Sequence, residues 1–380
     1  MNFDLTSEQS MIRRTIRDFA REEVAPGAVD RDRHKKFPKE IIKKLSDLGM
    51  MGLPFPEEYG GAGADTISFA IVTEELSRAC ASTGITYSAH ISLGGAPIYM
   101  FGTEEQKKKY LVPICLGESL GSFGLTEPNA GSDAGGTQTT AALEGDQYVI
   151  NGTKCFITNA SYAKYLALTA ITGKKNGEKE ISAIIVPTDA KGFTILSQYE
   201  KMGLHASDTT ELILENVMVN KDQLLGKEGE GFKQFLQTLD GGRIGIGAMA
   251  VGVAQGAYDK ALQYVKERKQ FGKTLSQFQA TQFKIADMAM KIEVARNMVY
   301  KAAWLKDQGR PFAKEASMCK LFASKVCMEI SDEAVQLHGG YGYMREFEVE
   351  RMMRDAKLLE IGEGTSEVQR MVIAREVGCY

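Results

Sequence analysis

The sequence lacks what would mark a fibrous, membrane-spanning or metal-clamped chain. Its 380 residues include one Trp, nine Pro, six Cys and four His. Net charge is nearly absent: 46 Lys and Arg against 49 Asp and Glu leave −3, which presents no basic surface to nucleic acid or an anionic membrane. No apolar run approaches the roughly 20 residues of a membrane span, and the longest candidate, 244–253, is broken by glycines. Helical patterning begins almost at Met1, with no apolar stretch behind a basic start, so no signal or transit peptide is expected. The expected location is a bacterial cytoplasm, or the mitochondrial matrix for a processed eukaryotic protein. The cysteines (Cys80, Cys115, Cys155, Cys319, Cys327, Cys379) contain no C-x-x-C pair and read as small buried hydrophobes in a reducing compartment. His34, His90, His205 and His338 show no ligand spacing, so no metal is expected.

What is present is an ordinary globular composition, 43% hydrophobic and 25% charged, at a length that suggests two or three domains. Only Pro311 follows Pro187, which leaves the last half free for long helices. Thr6 and Gln9 form a capping box for a first helix carrying Met11, Ile12, Ile16 and Phe19 up to Pro26. A second helix starts with Pro38 in its first turn, carries Ile41, Ile42, Leu45 and Leu48, and stops at Gly49; 66–80 continues in the same style. From about 121 the pattern turns to β. Asn151-Gly152 predicts a two-residue hairpin between strands 147–150 and 153–158, Asn176-Gly177 precedes the apolar run 181–186, and 212–219 reads as a further strand. Helix returns over 232–239, then to Arg268, then over 278–308 and 314–338. The small residues from Gly245 to Gly256 permit close helix packing. The expected fold class is α+β, mainly α: an N-terminal α-helical domain (1–120), a central β domain (121–225) and a C-terminal α-helical bundle (226–380).

Three segments could carry chemistry. In 123–136, FGLTEPNAGSDAGG, glycines let backbone N–H groups approach a ligand while Thr126 and Ser132 supply hydroxyls; a plain interdomain loop reads equally well. Gln336 to Tyr343, QLHGGYGY, ends a helix at glycines, either as a left-handed cap or as exposed donors beside an anionic cofactor. Glu363 lies between Gly362 and Gly364, ahead of a helix whose capping box would be Ser366 with Gln369. A carboxylate held there against apolar walls would bind protons tightly and could act as a base toward a carbon acid; locally, a turn glutamate in water is the commoner case.

Taken together the chain resembles the acyl-CoA dehydrogenase family over essentially its whole length. The motifs are Phe123 to Asp133 (FGLTEPNAGSD), Asn151 to Asn159 (NGTKCFITN), Leu239 to Arg243 (LDGGR), Glu267 to Gly272 (ERKQFG), Gln336 to Tyr343, Arg354 to Lys357 (RDAK) and Glu363 to Glu367 (EGTSE). The resemblance implies helical, β and helical-bundle domains in that order, noncovalent FAD, and a homotetramer in which a neighbouring subunit completes the FAD site. Phe123, Leu125, Thr126 and Ser132, with Phe156, Ile157 and Thr158, should surround the flavin. Arg268, Phe271 and Gln279, with Gln336, Leu337, Gly339 and Gly340, should reach a neighbour's FAD. Thr365 and Glu367 should hold the cofactor near its pyrophosphate and adenosine. The implied reaction is α,β-dehydrogenation of an acyl-CoA thioester, with Glu363 taking the α-proton and the β-hydrogen leaving as hydride to flavin.

Within the same resemblance, Asp240 and Arg243 contact CoA, Ser132 its pantetheine arm, and Gly364 leaves room for the thioester. Isovaleryl-type and long-chain members carry the base at the position of Gly242, which cannot serve here. Gly362 stands where straight-chain members commonly have tyrosine, which opens volume for branched or cyclic acyl groups. Thr86 to Gly94 and Lys266 to Lys273 look closest to bacterial short-chain, butyryl-CoA-like enzymes, so short straight chains rank first and short branched or cyclic chains second. The expected electron acceptor is electron-transferring flavoprotein. A catalytically silent acyl-CoA or flavin-binding relative, or an oxidase, are the alternatives.

Overall fold

A computed structural model describes residues 4–379. The Thr6–Gln9 capping box is formed: Gln9 N donates to Thr6 Oγ1 (3.1 Å) and Thr6 N to Gln9 Oε1 (3.0 Å). The helix it starts, Ser7–Phe19, buries Ile12 and Ile16 but leaves Met11 exposed, because the chain turns that position to solvent. Lys39–Asp47 buries Ile41, Ile42 and Leu45; Pro38 is its N-cap rather than a first-turn residue, Leu48 is exposed, and Gly49 at φ 70 ends it. Thr66–Ala79 and Ala81–Ala89 complete the helical framework, and a π-helical turn, His90–Gly95, follows them.

The sheet uses eight strands: β1 Phe123–Gly124, β2 Thr140–Glu144, β3 Gln147–Thr158, β4 Tyr165–Lys175, β5 Glu178–Pro187, β6 Phe193–Ile195, β7 Thr209–Asn220 and β8 Leu224–Leu225. Their order is β6-β7-β3-β2-β4-β5-β8, with β1 parallel to β4. Side-chain alternation gives the sheet two buried faces. Ala167, Ala183 and Ile185 join the N-terminal core, while Leu166, Leu168, Ile184 and Val186 join the sheet's own. The Asn176-Gly177 turn connects β4 to β5, with Lys175 opposite Glu178 and both turn residues at positive φ (52 and 87).

The hairpin expected at Asn151-Gly152 does not form. β3 runs straight through, with a register shift against β7 between Ile150 and Gly152. Asn216 lies opposite at φ 53; its N–H donates to Asn151 Oδ1 (2.8 Å) and Asn151 Nδ2 donates to its Oδ1 (3.2 Å). The Asn-Gly pair thus serves a bulge, and the reversal falls earlier, at Gly145 (φ 63) between β2 and β3.

In the C-terminal half the two predicted helices 232–239 and onward to Arg268 are one, Gly231–Glu267. Gln279–Asp307 and Ala313–His338 pack with it. Its small residues are sites of close approach: a Cβ at Gly252 would lie 2.2 Å from Glu74 O, and one at Gly256 2.4 Å from Arg78 O. Five cysteines are buried as expected; Cys379 is exposed.

The seam between the helical and β regions is tightly bonded. His90 receives the Gly121 N–H on Nδ1 (2.9 Å) and contacts Met51 O through Nε2 (2.9 Å), so it is a satisfied core histidine. Burial pushes its pKa down to about 4. Asn159 Nδ2 donates to Thr86 O (3.0 Å) and Gly121 O (3.3 Å), and a Cβ on Gly94 would sit 2.2 Å from Gly121 Cα.

Candidate active site

The helix Val349–Leu358 ends in a turn that leads to Glu363. Glu363 adopts φ 54, a left-handed conformation that costs a residue with a side chain of order 1–3 kcal/mol and persists only where its surroundings enforce it. The surroundings here are specific. Gln369 Nε2 donates to Glu363 O (3.2 Å) and Gly364 O (2.9 Å), and Lys320 Nζ donates to Gly364 O (2.7 Å). Gly364, at φ 95, supplies the second left-handed step. The following helix, Ser366–Glu376, is capped by Thr365, whose Oγ1 accepts from Val368 N (3.3 Å), not by the expected Ser366–Gln369 box. The cap sits one residue earlier because Ser366 N is already committed to Glu360 O (2.9 Å).

Although Glu363 is only partly buried as a residue, both carboxylate oxygens are shut off from solvent and have no hydrogen-bond partner. Burial pushes the carboxyl up to about 7, outweighing the attraction of Lys320 and Arg243. The carboxylate lies against the helix Gly231–Glu267: a Cβ on Gly242 would meet Glu363 Oε2 at 2.0 Å and Leu93 Cδ2 at 3.1 Å. Only glycine at 242 leaves that place free. One residue on, Arg243 is almost fully buried, ion-paired to Asp240 (2.5 Å) and donating to Ser317 Oγ (3.3 Å). Burial lowers the Arg243 pKa and raises that of Asp240. A Cβ at Gly362 meets nothing closer than Leu358 O at 3.6 Å, so the space a larger side chain would fill is open.

The segment 123–136 is anchored by a buried ion pair that sequence reasoning did not single out. Lys154 Nζ contacts Glu127 Oε1 (2.8 Å) and donates to Leu125 O (3.2 Å) and Thr169 Oγ1 (3.1 Å), while Glu127 accepts the Gln138 and Thr139 N–H groups. Cys155 N donates to Thr126 O (2.9 Å), tying this loop to β3. Phe123 stacks on Phe235, ring centroids 4.0 Å apart, two turns before Gly242 on the same helix. On β3, Phe156 takes φ 59 and is 64% exposed, whereas the Ile157 side chain belongs to the sheet core, leaving its backbone and Thr158 toward any ligand. Ser132 and Gly131 are exposed on the same loop. An open cavity of about 680 Å³ adjoins the Glu363 loop, with Thr365 and Glu367 among its lining residues.

A third group lies elsewhere. Arg268 follows the end of the long helix, which places it about 39 Å from Gly242 at 1.5 Å per residue. Its guanidinium lies 5.4 Å from the Tyr341 ring centroid, next to Gly339 and Gly340. Phe271 is 94% exposed at φ 52, Gln279 and Gln336 are exposed, and Leu337 is half-buried. Gly339 is not a left-handed cap: φ 60 with ψ −139 is a conformation essentially confined to glycine. Its backbone and that of Gly340 stand in open space. His338 is a packing residue, stacked on Tyr264 at 4.2 Å with Nδ1 on Ala334 O (2.7 Å).

Lys320 was missed because nothing local marks it, and Gln369, expected as the capping-box partner of Ser366, instead holds the Glu363 and Gly364 carbonyls. The available signal was periodicity: Ala316, Cys319, Ala323, Cys327 and Ile330 form a buried stripe, and Lys320 stands inside it.

These features agree with what comparison finds. The descriptions "Acyl-CoA dehydrogenase, N-terminal domain", "middle domain" and "C-terminal domain" match residues 6–118, 122–217 and 229–378. The chain is 61% identical over 378 residues to "Probable acyl-CoA dehydrogenase YngJ" of Bacillus subtilis, covering 99% of this chain and 100% of that one. It superposes on butyryl-CoA dehydrogenase from Megasphaera elsdenii with TM-score 0.96 and 47% identity, covering 99% and 100%. A chain from a structure described as "Electron transferring flavoprotein of Acidaminococcus fermentans: Towards a mechanism of flavin-based electron bifurcation" matches with TM-score 0.97 and 50% identity, covering all of both. No helix among the described residues is long and apolar enough to cross a membrane. The chain belongs to the acyl-CoA dehydrogenase family.

Proposed function

We propose that the chain is an FAD-dependent acyl-CoA dehydrogenase that converts a short-chain acyl-CoA to the trans-2-enoyl-CoA and passes the electrons to electron-transferring flavoprotein. The observation that carries this reading is the Glu363 carboxylate, dry, without a hydrogen-bond partner, and resting in the place that a side chain at 242 would otherwise fill. A base needs a free lone pair and a pKa near the working pH, and this group has both. The α-proton is acidic only if charge on the thioester oxygen is stabilised. The Glu363 backbone N–H meets no acceptor among the described residues and serves as that donor. Bound FAD supplies the hydride acceptor.

The residues fit FAD. Phe123, Leu125, Thr126, Ser132, Phe156, Ile157 and Thr158 border the flavin; Thr365 and Glu367, at the cavity rim, take the pyrophosphate and adenosine side. Arg268, Phe271, Gln279, Gln336, Leu337, Gly339 and Gly340 lie too far from Glu363 to share its cofactor within one chain, which supports a homotetramer in which they complete a neighbour's site. Asp240, Arg243, Ser132, Gly362 and Gly364 form the substrate side. Of the first two, Asp240 keeps the more accessible side chain, at 25% against 5% exposure, and Arg243 holds it in place. The same reading divides the chain into domains 1–120, 121–225 and 226–380, supported by the change to strand at Phe123 and back to helix at Gly231. A bacterial enzyme of this kind works in the cytoplasm.

The test is anaerobic bleaching of the FAD-loaded protein by butyryl-, isovaleryl-, 2-methylbutyryl- and cyclohexanecarbonyl-CoA. Butyryl-CoA should be fastest. The open space at Gly362 favours the branched or cyclic reading if one of the others wins. Glu363→Gln should retain FAD and lose reduction by several orders of magnitude; full activity in that variant refutes the base assignment.

A further inference from the structure

Lys320 is fully buried, yet among the described residues no carboxylate lies within ion-pair distance of its ammonium. Burying an unpaired ammonium is costly, and this one receives a single hydrogen bond in return, to Gly364 O at 2.7 Å. That carbonyl belongs to the residue that follows Glu363. Gln369, also fully buried, donates from Nε2 both to this oxygen and to the Glu363 carbonyl. Two buried side chains from two helices therefore hold the two left-handed residues that aim the carboxylate.

We propose that Lys320 is a positioning residue for the dehydrogenation: with Gln369 it clamps the Gly364 carbonyl so that the base loop keeps its left-handed form, and it sets an ammonium without a carboxylate partner against that loop. The inference rests on Glu363 being the base.

The charges around Glu363 make Lys320 the decisive one. From the helix Gly231–Glu267 comes Arg243, but Asp240 already matches its charge. From the base turn comes Glu360, bonded by Lys357 (2.6 Å), and from the last helix Glu367, paired with Arg370 (3.5 Å). The π-helical turn His90–Gly95 contributes Leu93, which is neutral. Lys320 is thus a buried positive charge on the Glu363 turn that no carboxylate among the described residues pairs with. Burial pushes its own pKa down to about 8, so it is charged at neutral pH, and its attraction partly offsets the burial that raises Glu363.

The experiment uses the FAD-loaded enzyme and four variants: Lys320→Gln, Lys320→Met, Lys320→Arg and Gln369→Leu. Protonation of Glu363 is titrated by infrared difference spectroscopy against Glu363→Gln, which reads the carboxyl without turnover. The pH profile of anaerobic reduction by butyryl-CoA is measured alongside. Loss of the charge in Lys320→Gln or Lys320→Met should raise the midpoint and the acidic limb together by about one pH unit. Lys320→Arg should restore both. Gln369→Leu should slow reduction about tenfold or more with the midpoint unmoved, because it loosens the loop and leaves the charge. If Lys320→Met does not fold, Lys320→Gln, which keeps a donor for Gly364, carries the test. An unmoved midpoint in the neutral variants, or an equal shift in Gln369→Leu, overturns the proposal. Failure of the base assignment appears separately, as an active Glu363→Gln.

Discussion

Replacing Gly242 by alanine should disable the enzyme while leaving its fold intact. The added Cβ would lie 2.0 Å from Glu363 Oε2 and 3.0 Å from its Cδ, where ordinary contact begins near 3.4 Å. The carboxylate must therefore retreat by about 1.4 Å. A misplacement of about 1 Å can cost on the order of 10²-fold in rate, so a loss of at least that size is expected. Stability should change little. Alanine gains up to about 1 kcal/mol over glycine in a helix interior, against an overpacking cost of about 1–3 kcal/mol that the flexible carboxylate relieves by swinging away. A net change near 1 kcal/mol moves the melting temperature by only about 2–4 °C in domains of this size. Gly241→Ala is the control, because its Cβ meets only Lys306 Nζ, at 3.3 Å. Stopped-flow reduction of bound flavin by butyryl-CoA, under anaerobic conditions, gives the rate. Wild-type reduction in Gly242→Ala would refute the reasoning, since Glu363 would then work from some other place.

With the Glu363 carboxyl at about 7, kcat/KM should fall as pH drops below that value, measured by initial rates with an artificial electron acceptor. The same raised value means the native state holds this proton more tightly than the unfolded chain between its ordinary value of 4.5 and about 7. Stability should therefore decline as pH rises through that window, and Glu363→Gln should melt higher than wild type at pH 8 but not at pH 4.5. Lys154→Met strands a buried Glu127 and should destabilise the apoprotein by about 3–5 kcal/mol in a denaturant titration, with weaker FAD retention because Leu125 O loses its donor. Gly362→Tyr should fold normally and raise the preference for butyryl-CoA over isovaleryl-CoA about tenfold or more in kcat/KM, as the open space is filled.

The parts of the fold that were legible in the sequence were those fixed by neighbours along the chain. The Thr6 box, the Asn176-Gly177 turn and the long proline-free helices depend on contacts within a few residues. Asn151-Gly152 was misread because an Asn-Gly pair suits a turn and a bulge alike; Asn216 decides between them, and it is distant in sequence. The helix Gly231–Glu267 runs through Gly241 and Gly242 because burial on both sides outweighs a glycine cost of about 1 kcal/mol each. At the site, Glu363 was readable as a carboxylate framed by glycines. Lys320 and the Lys154–Glu127 pair were not, because their roles exist only once separate elements meet, and Gln369, five and six residues from the carbonyls it holds, read as a helix cap instead.

The bonded seam at His90, Gly121 and Asn159 has a mechanical consequence. A hinge needs a few residues free to change backbone angle, and here the crossing from helix to sheet is held by side chains on both sides and by glycines packed too closely for even a methyl group. The helical and β regions should therefore move as one block. A thioester must then enter a slot that already has its working shape, and turnover spends no time on domain closure. Changing solvent viscosity should leave the rate of flavin reduction untouched, and any slow opening step must come from side chains or from the contact between subunits.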